Sequence, residues 1–262
     1  MINFPLWDAH AHIQYPWYSK KEITELLISS KEQGIEGIIN VISTPTIKAY
    51  EEGLRLASTE SIVHTNFGLQ PTEATDEAFK IFQDYTIAHK EEICAIGEIG
   101  LDYYWVKEQK LINKQIEVFK QCIFTANELS KPLVIHSRKA ENDCLDLLEK
   151  FANVPVLMHG MEANENHTKR LKDLDYHITI PTSICIRKKY KKIASRMPLE
   201  LILLETDSPF QLPFNPPEGK KVKNSPANIT LSAKKLAELR DLSLEEVARV
   251  TTATTRSFFL IN

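Results

Sequence analysis

Short apolar segments alternate with longer amphipathic segments along almost the whole chain. Eight of the apolar segments have the length and composition of strands, and they begin near residues 4, 35, 61, 93, 131, 154, 176 and 199. Most are nearly continuous in Val, Ile and Leu, which is typical of strands covered on both faces. Eight strand–helix units in 262 residues are the content of a (β/α)8 TIM barrel, an α/β fold whose active site lies at the C-terminal ends of the strands.

The alternative α/β architecture, a doubly wound sheet, is less well supported. It normally carries a glycine-rich first turn, whereas the first strand here runs into "DAHAHI", which contains no glycine. Residues 208–228 hold five prolines in 21 residues and are too long for a simple connection, so we expect this segment to be functional. Two helices are predicted after it, near 227–240 and 243–258, the second capped by Ser243. No linker divides the chain, and residues 1–262 are predicted to form a single domain.

The composition argues against several classes of protein. A net charge of −3, from 32 basic and 35 acidic residues, does not suit bulk wrapping of nucleic acid, which needs a strongly basic surface. The four cysteines are far apart and none forms a CxxC pair, so they are predicted to be reduced thiols. We find neither a secretory signal nor an apolar run of membrane-spanning length, and we therefore expect a cytoplasmic protein with no membrane partner.

Side chains that commonly bind metal ions stand at the ends of five of the predicted strands. The first strand closes with two of them, the fourth carries one near its end, and the fifth, sixth and eighth end in one each: His10, His12, Glu98, His136, His159 and Asp207. Because the C-terminal ends of barrel strands meet at one face, we expect these side chains to converge. Four imidazoles and two carboxylates without a thiolate suit zinc, manganese or magnesium, and six ligands suit two ions that share a carboxylate.

Each of these residues also has an ordinary structural interpretation. A single histidine at a strand end is more often a hydrogen-bonded core residue than a ligand, and one HxH pair is weak evidence. Packing alone, however, does not predict five strands that end in ligand types at one face. The other histidines fall within a strand, a helix or a loop and are interpreted as structural or surface residues: His64, His89, His167 and His177. Asp8 is expected to support the site from below rather than to bind metal.

Four segments resemble the motifs of the TatD-type metal-dependent deoxyribonucleases of the amidohydrolase superfamily. They are "DAHAHI", "GEIGLDYY", "PLVIHSRKA" and "LLETDSPF", and they occur in the order and spacing of that family over essentially the whole chain. The resemblance implies a TIM barrel with two divalent ions, Zn, Mg or Mn. It also implies that one ion is held by His10, His12 and Asp207 and the other by His136 and His159, with Glu98 as the bridge. Glu205 is either a further ligand or a structural residue.

The resemblance further implies hydrolysis of DNA phosphodiester bonds, as an exonuclease at the 3′ ends of single strands, by a hydroxide that two metal ions activate. Asp207 is the predicted proton acceptor, and Glu98 completes the catalytic pair. Arg138, Gln70 and Lys223 are predicted to bind substrate, although an ordinary salt bridge explains Arg138 equally well. DNA is the only partner expected.

A basic cluster at residues 187–196 also follows a predicted strand on the active-site side. It has six basic residues in ten, with Tyr190 available to stack on a base. A solvated helix face is the favoured interpretation of this cluster.

Three substrate-side segments depart from the family pattern. "GLQP" places Gln70 where relatives have a histidine, residues 160–164 read "GMEAN" where relatives have "CFSG", and "KNSP" places Lys223 and Ser225 where relatives have Arg and Glu. These changes leave open a second hydrolase, one that acts on a carboxylic ester or amide, such as a D-aminoacyl-tRNA deacylase or a lactonase. A third hypothesis is a catalytically silent barrel that serves as a scaffold, but the complete set of ligand residues argues against it.

Overall fold

The eight predicted strands form one parallel sheet. The structure is a computed structural model that describes residues 4–14 and 16–261. The strands pair in chain order: β1 Leu6–Ala11, β2 Ile35–Ile42, β3 Val63–Phe67, β4 Ile96–Asp102, β5 Leu133–Arg138, β6 Val156–His159, β7 His177–Pro181 and β8 Ile202–Glu205. The largest differences from the predicted starts are at β4, which begins at 96 rather than 93, and at β8, which begins at 202 rather than 199.

Helices alternate with the strands and cover the outside of the sheet. They are α1 Lys20–Glu32, α2 Ile47–Thr59, α3 Asp76–Ala88, α4 Gln109–Leu129, α5 Glu141–Phe151, α6 Glu165–Asp173, α7 Lys188–Arg196, α8 Ile229–Arg240 and α9 Leu244–Phe258. The side chain of Ser243 accepts a hydrogen bond from the Glu246 N–H, so the predicted cap of the last helix is present. Residues 208–225 contain neither helix nor strand.

The sheet curls until β1 meets the chain that follows β8. The backbone N–H of Asp207 donates to the His10 carbonyl at 2.9 Å, and the His12 N–H donates to the Ser208 carbonyl at 2.7 Å. These two bonds join the first and last strands at their C-terminal ends. The predicted TIM barrel is therefore confirmed.

The inside of the barrel is apolar below and polar above. Val134, Leu157 and Leu203 belong to a buried apolar cluster that also contains Phe258, the last residue of α9, and Phe259, which follows it. Two residues further along the same strands stand His136, His159 and Glu205. Because residues i and i+2 of a strand point to the same face, one set of strands supplies both the apolar plug and the polar floor above it.

Among the described residues, none of the helices combines the length and the apolar character that a bilayer-spanning helix requires. All four cysteines are free thiols, as predicted. Burial raises the pKa of Cys94 to about 12, so this thiol stays protonated at neutral pH.

Candidate metal centre

His10, in β1, and His12, just after β1, point to the same place inside the barrel. The Nε2 atoms of His10 and His12 lie 3.3 Å apart. They lie 3.7 Å and 3.6 Å from Glu98 Oε2. Asp207 Oδ1 lies 4.0 Å from the first of these nitrogens and 3.6 Å from the second. Two nitrogens and two carboxylate oxygens therefore surround one point.

The other oxygen of Glu98 faces a second pair of histidines. Glu98 Oε1 lies 2.6 Å from His136 Nδ1 and 3.8 Å from His159 Nε2. The rings of His10 and His159 stack with centroids 3.6 Å apart, which brings the two pairs into contact. Each oxygen of this one carboxylate thus faces a different histidine pair, an arrangement that suits a bridging ligand.

Glu98 reaches this position from a different place on its strand than the sequence suggests. The residue is the third of seven in β4 rather than near its end, and the pairing of β4 with β5 shifts register between Gly97 and Ile99. Gly68, just after β3, lies against the backbone at this point, where a Cβ would overlap the backbone of Glu98.

Three of the four histidines can bind a metal ion through one nitrogen and are held through the other. His12 Nδ1 lies 2.9 Å from the Val41 carbonyl oxygen, which requires a proton on Nδ1 and leaves Nε2 free for a cation. His159 Nδ1 lies 2.7 Å from Glu205 Oε2. His136 is oriented the other way round, with Nε2 3.0 Å from Asp102 Oδ2. Such contacts fix the ring and its tautomer.

Sequence reasoning did not assign a role to Asp102. It lies four residues after Glu98 in the motif "GEIGLDYY", and a charged residue at the end of an apolar strand was the available signal. Its carboxylate is buried and also accepts the N–H groups of Tyr104 and Trp105. Glu205 is fully buried against His159, in agreement with the structural alternative, although it also forms a possible ligand group with His10 and His159.

Burial keeps two of the histidines neutral. It lowers the pKa of His159 to about 4, and burial together with the neighbouring His10 lowers the pKa of His12 to about 4. A neutral imidazole is the form that binds a metal ion. For His136, burial favours the neutral form, but the hydrogen bonds with Asp102 and Glu98 outweigh it and raise the pKa to about 10.

The carboxylates are crowded in the same small volume. Burial raises the pKa of Glu205 to about 7. Burial and the neighbouring Glu205 and Glu98 raise the pKa of Asp207 well above its usual range. Glu98 itself has a pKa well below the ordinary value, because hydrogen bonds with His10 and His136 overcome the effect of burial. Several buried acids that repel each other are the electrostatic setting that a divalent cation relieves.

The donor set fits divalent ions. Three groups of side chains have ligand atoms within 4.8 Å of one another, and Glu98 belongs to two of them: His10, His12 and Glu98; Glu98, His136 and His159; His10, His159 and Glu205. His10 Nδ1 and Glu205 Oε1 are buried and have no hydrogen-bond partner among the described residues. Nitrogen and oxygen donors without thiolates suit Zn²⁺, Mn²⁺ or Mg²⁺.

A cavity of about 610 Å³ opens above these residues. Gln70 and Arg138, two of the residues predicted to bind substrate, line its wall. Among the described residues Arg138 has no salt-bridge partner; its guanidinium lies over Tyr104, 4.1 Å from the ring centroid. The cavity is wide enough for a nucleotide and has a cation at its edge.

The structure does not support the assignment of Lys223 or the less favoured alternative for Tyr190. Lys223 does not line the cavity; its Nζ lies 2.7 Å from Glu22 Oε1 and 5.0 Å from the centroid of the Tyr18 ring. Tyr190 is buried and donates its hydroxyl proton to the Gly160 carbonyl, so the idea that it stacks on an incoming base is wrong. Both side chains meet partners that are remote in sequence.

Asp8 lies below the cluster and supports it. Its carboxylate accepts the Thr206 N–H at 2.9 Å and the Thr206 hydroxyl, and it also lies 3.3 Å from the His10 N–H. It thereby ties the end of β1 to the segment that carries Asp207, as expected of a supporting residue.

Comparison with known proteins agrees with this geometry. The sequence model of the family described as "TatD related DNase" matches residues 7–260. The chain belongs to this family. The predicted family is thus confirmed, and with it the enzyme class, a metal-dependent hydrolase.

Two relatives are similar to this chain over nearly their whole length. The uncharacterized metal-dependent hydrolase YabD of Bacillus subtilis is 30% identical over 265 residues, which cover 98% of this chain and 100% of the relative. The human deoxyribonuclease TATDN3 is 29% identical over 270 residues, which cover 96% of this chain and 93% of the relative. Both matches extend over nearly the full length of each protein.

Solved structures of TatD proteins share the fold. The TatD homologue YJJV from Escherichia coli superimposes with a TM-score of 0.87 at 23% identity, with 98% of each chain covered. A TatD family hydrolase from Entamoeba histolytica gives a TM-score of 0.85 at 15% identity, with 100% of each chain covered. At these identities the likeness establishes the architecture alone.

Proposed function

We propose that this chain is a divalent-metal-dependent deoxyribonuclease that removes nucleotides from the 3′ ends of single-stranded DNA. The observation that carries the proposal is the position of Glu98, whose two oxygens face two different histidine pairs beneath an open cavity. A shared carboxylate between two ligand sets is the arrangement of two-metal phosphodiesterases. The name of the human relative, a deoxyribonuclease, agrees with DNA as the substrate.

The chain would hold two ions with the side chains described above. His10, His12 and Asp207 would hold one, His136 and His159 would hold the other, and Glu98 would be shared between them. When bound, the ions supply Lewis acidity toward the phosphate and lower the pKa of water at the site. The buried acids described above gain the counter-charge that they otherwise lack.

Asp207 is the group that takes the proton from the attacking water. Its Oδ1 lies within 4.0 Å of both His10 Nε2 and His12 Nε2, at the floor of the cavity. A carboxylate in this position, beside the attacking water, is placed to act as the general base.

Arg138 and Gln70 receive the substrate at the cavity wall. The guanidinium of Arg138 is exposed and matches two phosphate oxygens, which a planar fork of donors binds well. Gln70 is held at its backbone, where its N–H donates to the Ser43 carbonyl at 2.8 Å. Its amide can donate to phosphate but cannot shuttle a proton, so this chain relies on Asp207 for that task.

The proposal is tested by a parallel assay on three substrates. Labelled single-stranded DNA, duplex DNA and a D-aminoacyl-tRNA are incubated with Mg²⁺, Mn²⁺ or Zn²⁺, with and without chelator. We expect chelator-sensitive release of mononucleotides from the 3′ end of the single strand. His159→Ala should abolish it, whereas His89→Ala should not, because His89 pairs with Glu92 on the surface outside the site.

Two results would contradict the proposal. Nucleotide release that persists in His159→Ala would come from a contaminating nuclease. Deacylation of the tRNA without nucleotide release would favour the carboxylic-ester hydrolase instead.

A further inference from the structure

Two pairs of aromatic side chains border the cavity above the metal centre. Trp17 and Phe210 form one pair, with ring centroids 5.0 Å apart, and Tyr104 and Trp105 form the other, 4.8 Å apart. All four line the cavity, yet they remain between 37% and 64% exposed. Large aromatic rings at the edge of a cleft are unfavourable in water unless a partner covers them, so they mark a binding surface.

The two pairs stand on opposite sides of the centre. Trp17 follows β1 and Phe210 follows β8, which are neighbours where the barrel closes. Tyr104 and Trp105 follow β4. In a barrel of eight strands in chain order, β4 lies across from β8. A DNA strand that crosses the metal centre from one wall of the cavity to the other therefore meets one aromatic pair before the centre and the other pair after it.

Each pair is joined to a predicted metal ligand. The ring of Phe210 lies 6.2 Å from the ring of His12. On the other side, Asp102 accepts the N–H groups of Tyr104 and Trp105, each at 2.8 Å, while its second oxygen holds His136. Both aromatic pairs thus stand next to residues that surround the predicted metal centre.

We propose that each pair, Trp17 with Phe210 and Tyr104 with Trp105, is a base-stacking platform that grips a nucleotide on one side of the scissile phosphate. The rings within a pair lie at 77° and 84° to each other, so one ring of each pair presents its face to a base while the other supports it edge-on. The inference rests on the proposed nuclease function and adds its substrate requirement. In a duplex both faces of each base are already stacked, whereas an unpaired strand offers free faces that aromatic rings bind with little regard to sequence. Arg138 lies over the second platform, 5.5 Å from Trp105, and can hold the phosphate between the bases. The substrate is therefore an unstacked single strand.

Binding of a single strand without catalysis gives the first test. The dissociation constant of fluorescein-labelled oligo(dT) is measured by anisotropy in chelator, for wild type, Trp17→Ala and Trp105→Ala. We expect each substitution to weaken binding about tenfold, the effect of losing one base–aromatic stack. Trp17→Phe and Trp105→Phe should restore most of the affinity. The control is Phe124→Ala, since Phe124 is equally exposed but lies on α4 outside the cavity.

The bases themselves give the second test. When the two 3′-terminal nucleotides of the oligonucleotide are made abasic, wild-type affinity should fall about tenfold or more, and Trp105→Ala should add little to that loss.

The stacking proposal and the nuclease proposal would be contradicted by different results. The stacking proposal is wrong, even when DNA is hydrolysed, if the alanine variants bind oligo(dT) as tightly as wild type does. It is also wrong if the alanine substitutions weaken binding of abasic strands by the same factor as binding of intact strands. If duplex binds as tightly as single strand, the requirement for unstacked bases is wrong. If wild type hydrolyses no DNA with any metal, the nuclease proposal fails, and the binding experiment still decides the platforms.

Discussion

The backbone N–H of Asp207 donates to the carbonyl oxygen of His10, 2.9 Å away. This bond closes the barrel between its first strand and the chain that follows its last strand. It also brings together two predicted ligands of one ion that lie about two hundred residues apart in the sequence. Closure of the barrel and assembly of that ion site are therefore a single structural event, and changes near this seam should affect both.

Glu205→Gln should weaken metal binding without unfolding the protein. The carboxylate of Glu205 holds His159 at Nδ1, and a neutral amide is a weaker acceptor for that proton. Loss of such an orienting partner typically reduces metal affinity about 10–100-fold. The measurement is calorimetric titration of the metal-free protein with Zn²⁺ or Mn²⁺.

The matched control for this substitution is Glu92→Gln. Glu92 makes the same contact with His89, also at 2.7 Å, but on the surface. It should leave metal affinity unchanged, and an equal loss in both variants would contradict an orienting role of Glu205.

Asp102→Asn should leave the protein folded but able to bind only one metal ion. The amide oxygen can still accept the N–H groups of the next turn, but its NH2 group would donate to His136 Nε2. That forces the ring proton onto Nδ1, the atom that faces Glu98, and removes the ligand lone pair. Metal analysis should give one ion per chain instead of two, at a melting temperature close to that of wild type. Two ions per chain in the variant would refute this role.

Gly68→Ala should displace Glu98. A Cβ at this position would overlap the backbone of Glu98, and the loop is already fixed by the Tyr50 hydroxyl, which donates to the Gly68 carbonyl at 2.8 Å. Overpacking of this kind costs about 1–3 kcal/mol of unfolding free energy. Urea unfolding should show this loss, together with weaker metal binding.

Gly53→Ala serves as the comparison, because there a Cβ would meet the side chain of Ile42, which can move. It should lower stability and spare metal binding. If both substitutions spare metal binding, Gly68 does not position the bridge.

The metal-free protein should lose stability as pH rises toward 8. Burial raises the pKa of Asp8 from 3.8 to about 8. The unfolded chain therefore releases this proton near pH 3.8 while the folded chain keeps it, so the stability that Asp8 contributes falls with rising pH between these values and changes no further above about 8. His136, whose pKa is raised from 6.5 to about 10, acts in the same direction between those two values. One such proton contributes at most about 1.4 kcal/mol per pH unit.

Urea unfolding of wild type and Asp8→Asn in chelator, from pH 6.5 to 8.5, measures this slope. Asparagine is neutral in both states, so the slope should be smaller in the variant. His12 and His159, whose pKa values are lowered from 6.5 to about 4, make stability rise with pH between these two values. The pH range of the experiment lies above that interval. Parallel slopes would exclude Asp8 as the titrating group.

Arg138→Ala should raise the KM for single-stranded DNA about tenfold, since a hydrogen bond to a charged phosphate is lost. Lys223→Ala should leave KM unchanged, because this ammonium pairs with Glu22 rather than facing the cavity. Steady-state kinetics on both variants test the assignment and the correction together. A higher KM in Lys223→Ala would return this residue to the substrate path.

The fold could be predicted from the sequence because local patterns of apolar residues determine where its strands and helices lie. Runs of Val, Ile and Leu mark strands that are covered on both faces, and their alternation with helical patterns limits the topology to a few α/β arrangements. Residue types at strand ends were equally visible. The convergence of His10, His136 and His159 follows from barrel geometry once these strands are parallel.

What the tertiary structure alone decided is which side chains of distant elements meet. Glu205 orients His159, Asp102 orients His136, and Gly68 makes room for the backbone of Glu98, although the sequence does not show which partner each of them meets. Lys223 was assigned to phosphate from its charge, yet it pairs with a carboxylate 201 residues away. Charge and residue type are properties of the chain itself. Partners depend on packing between elements, because hydrogen bonds and ion pairs act only over a few ångströms.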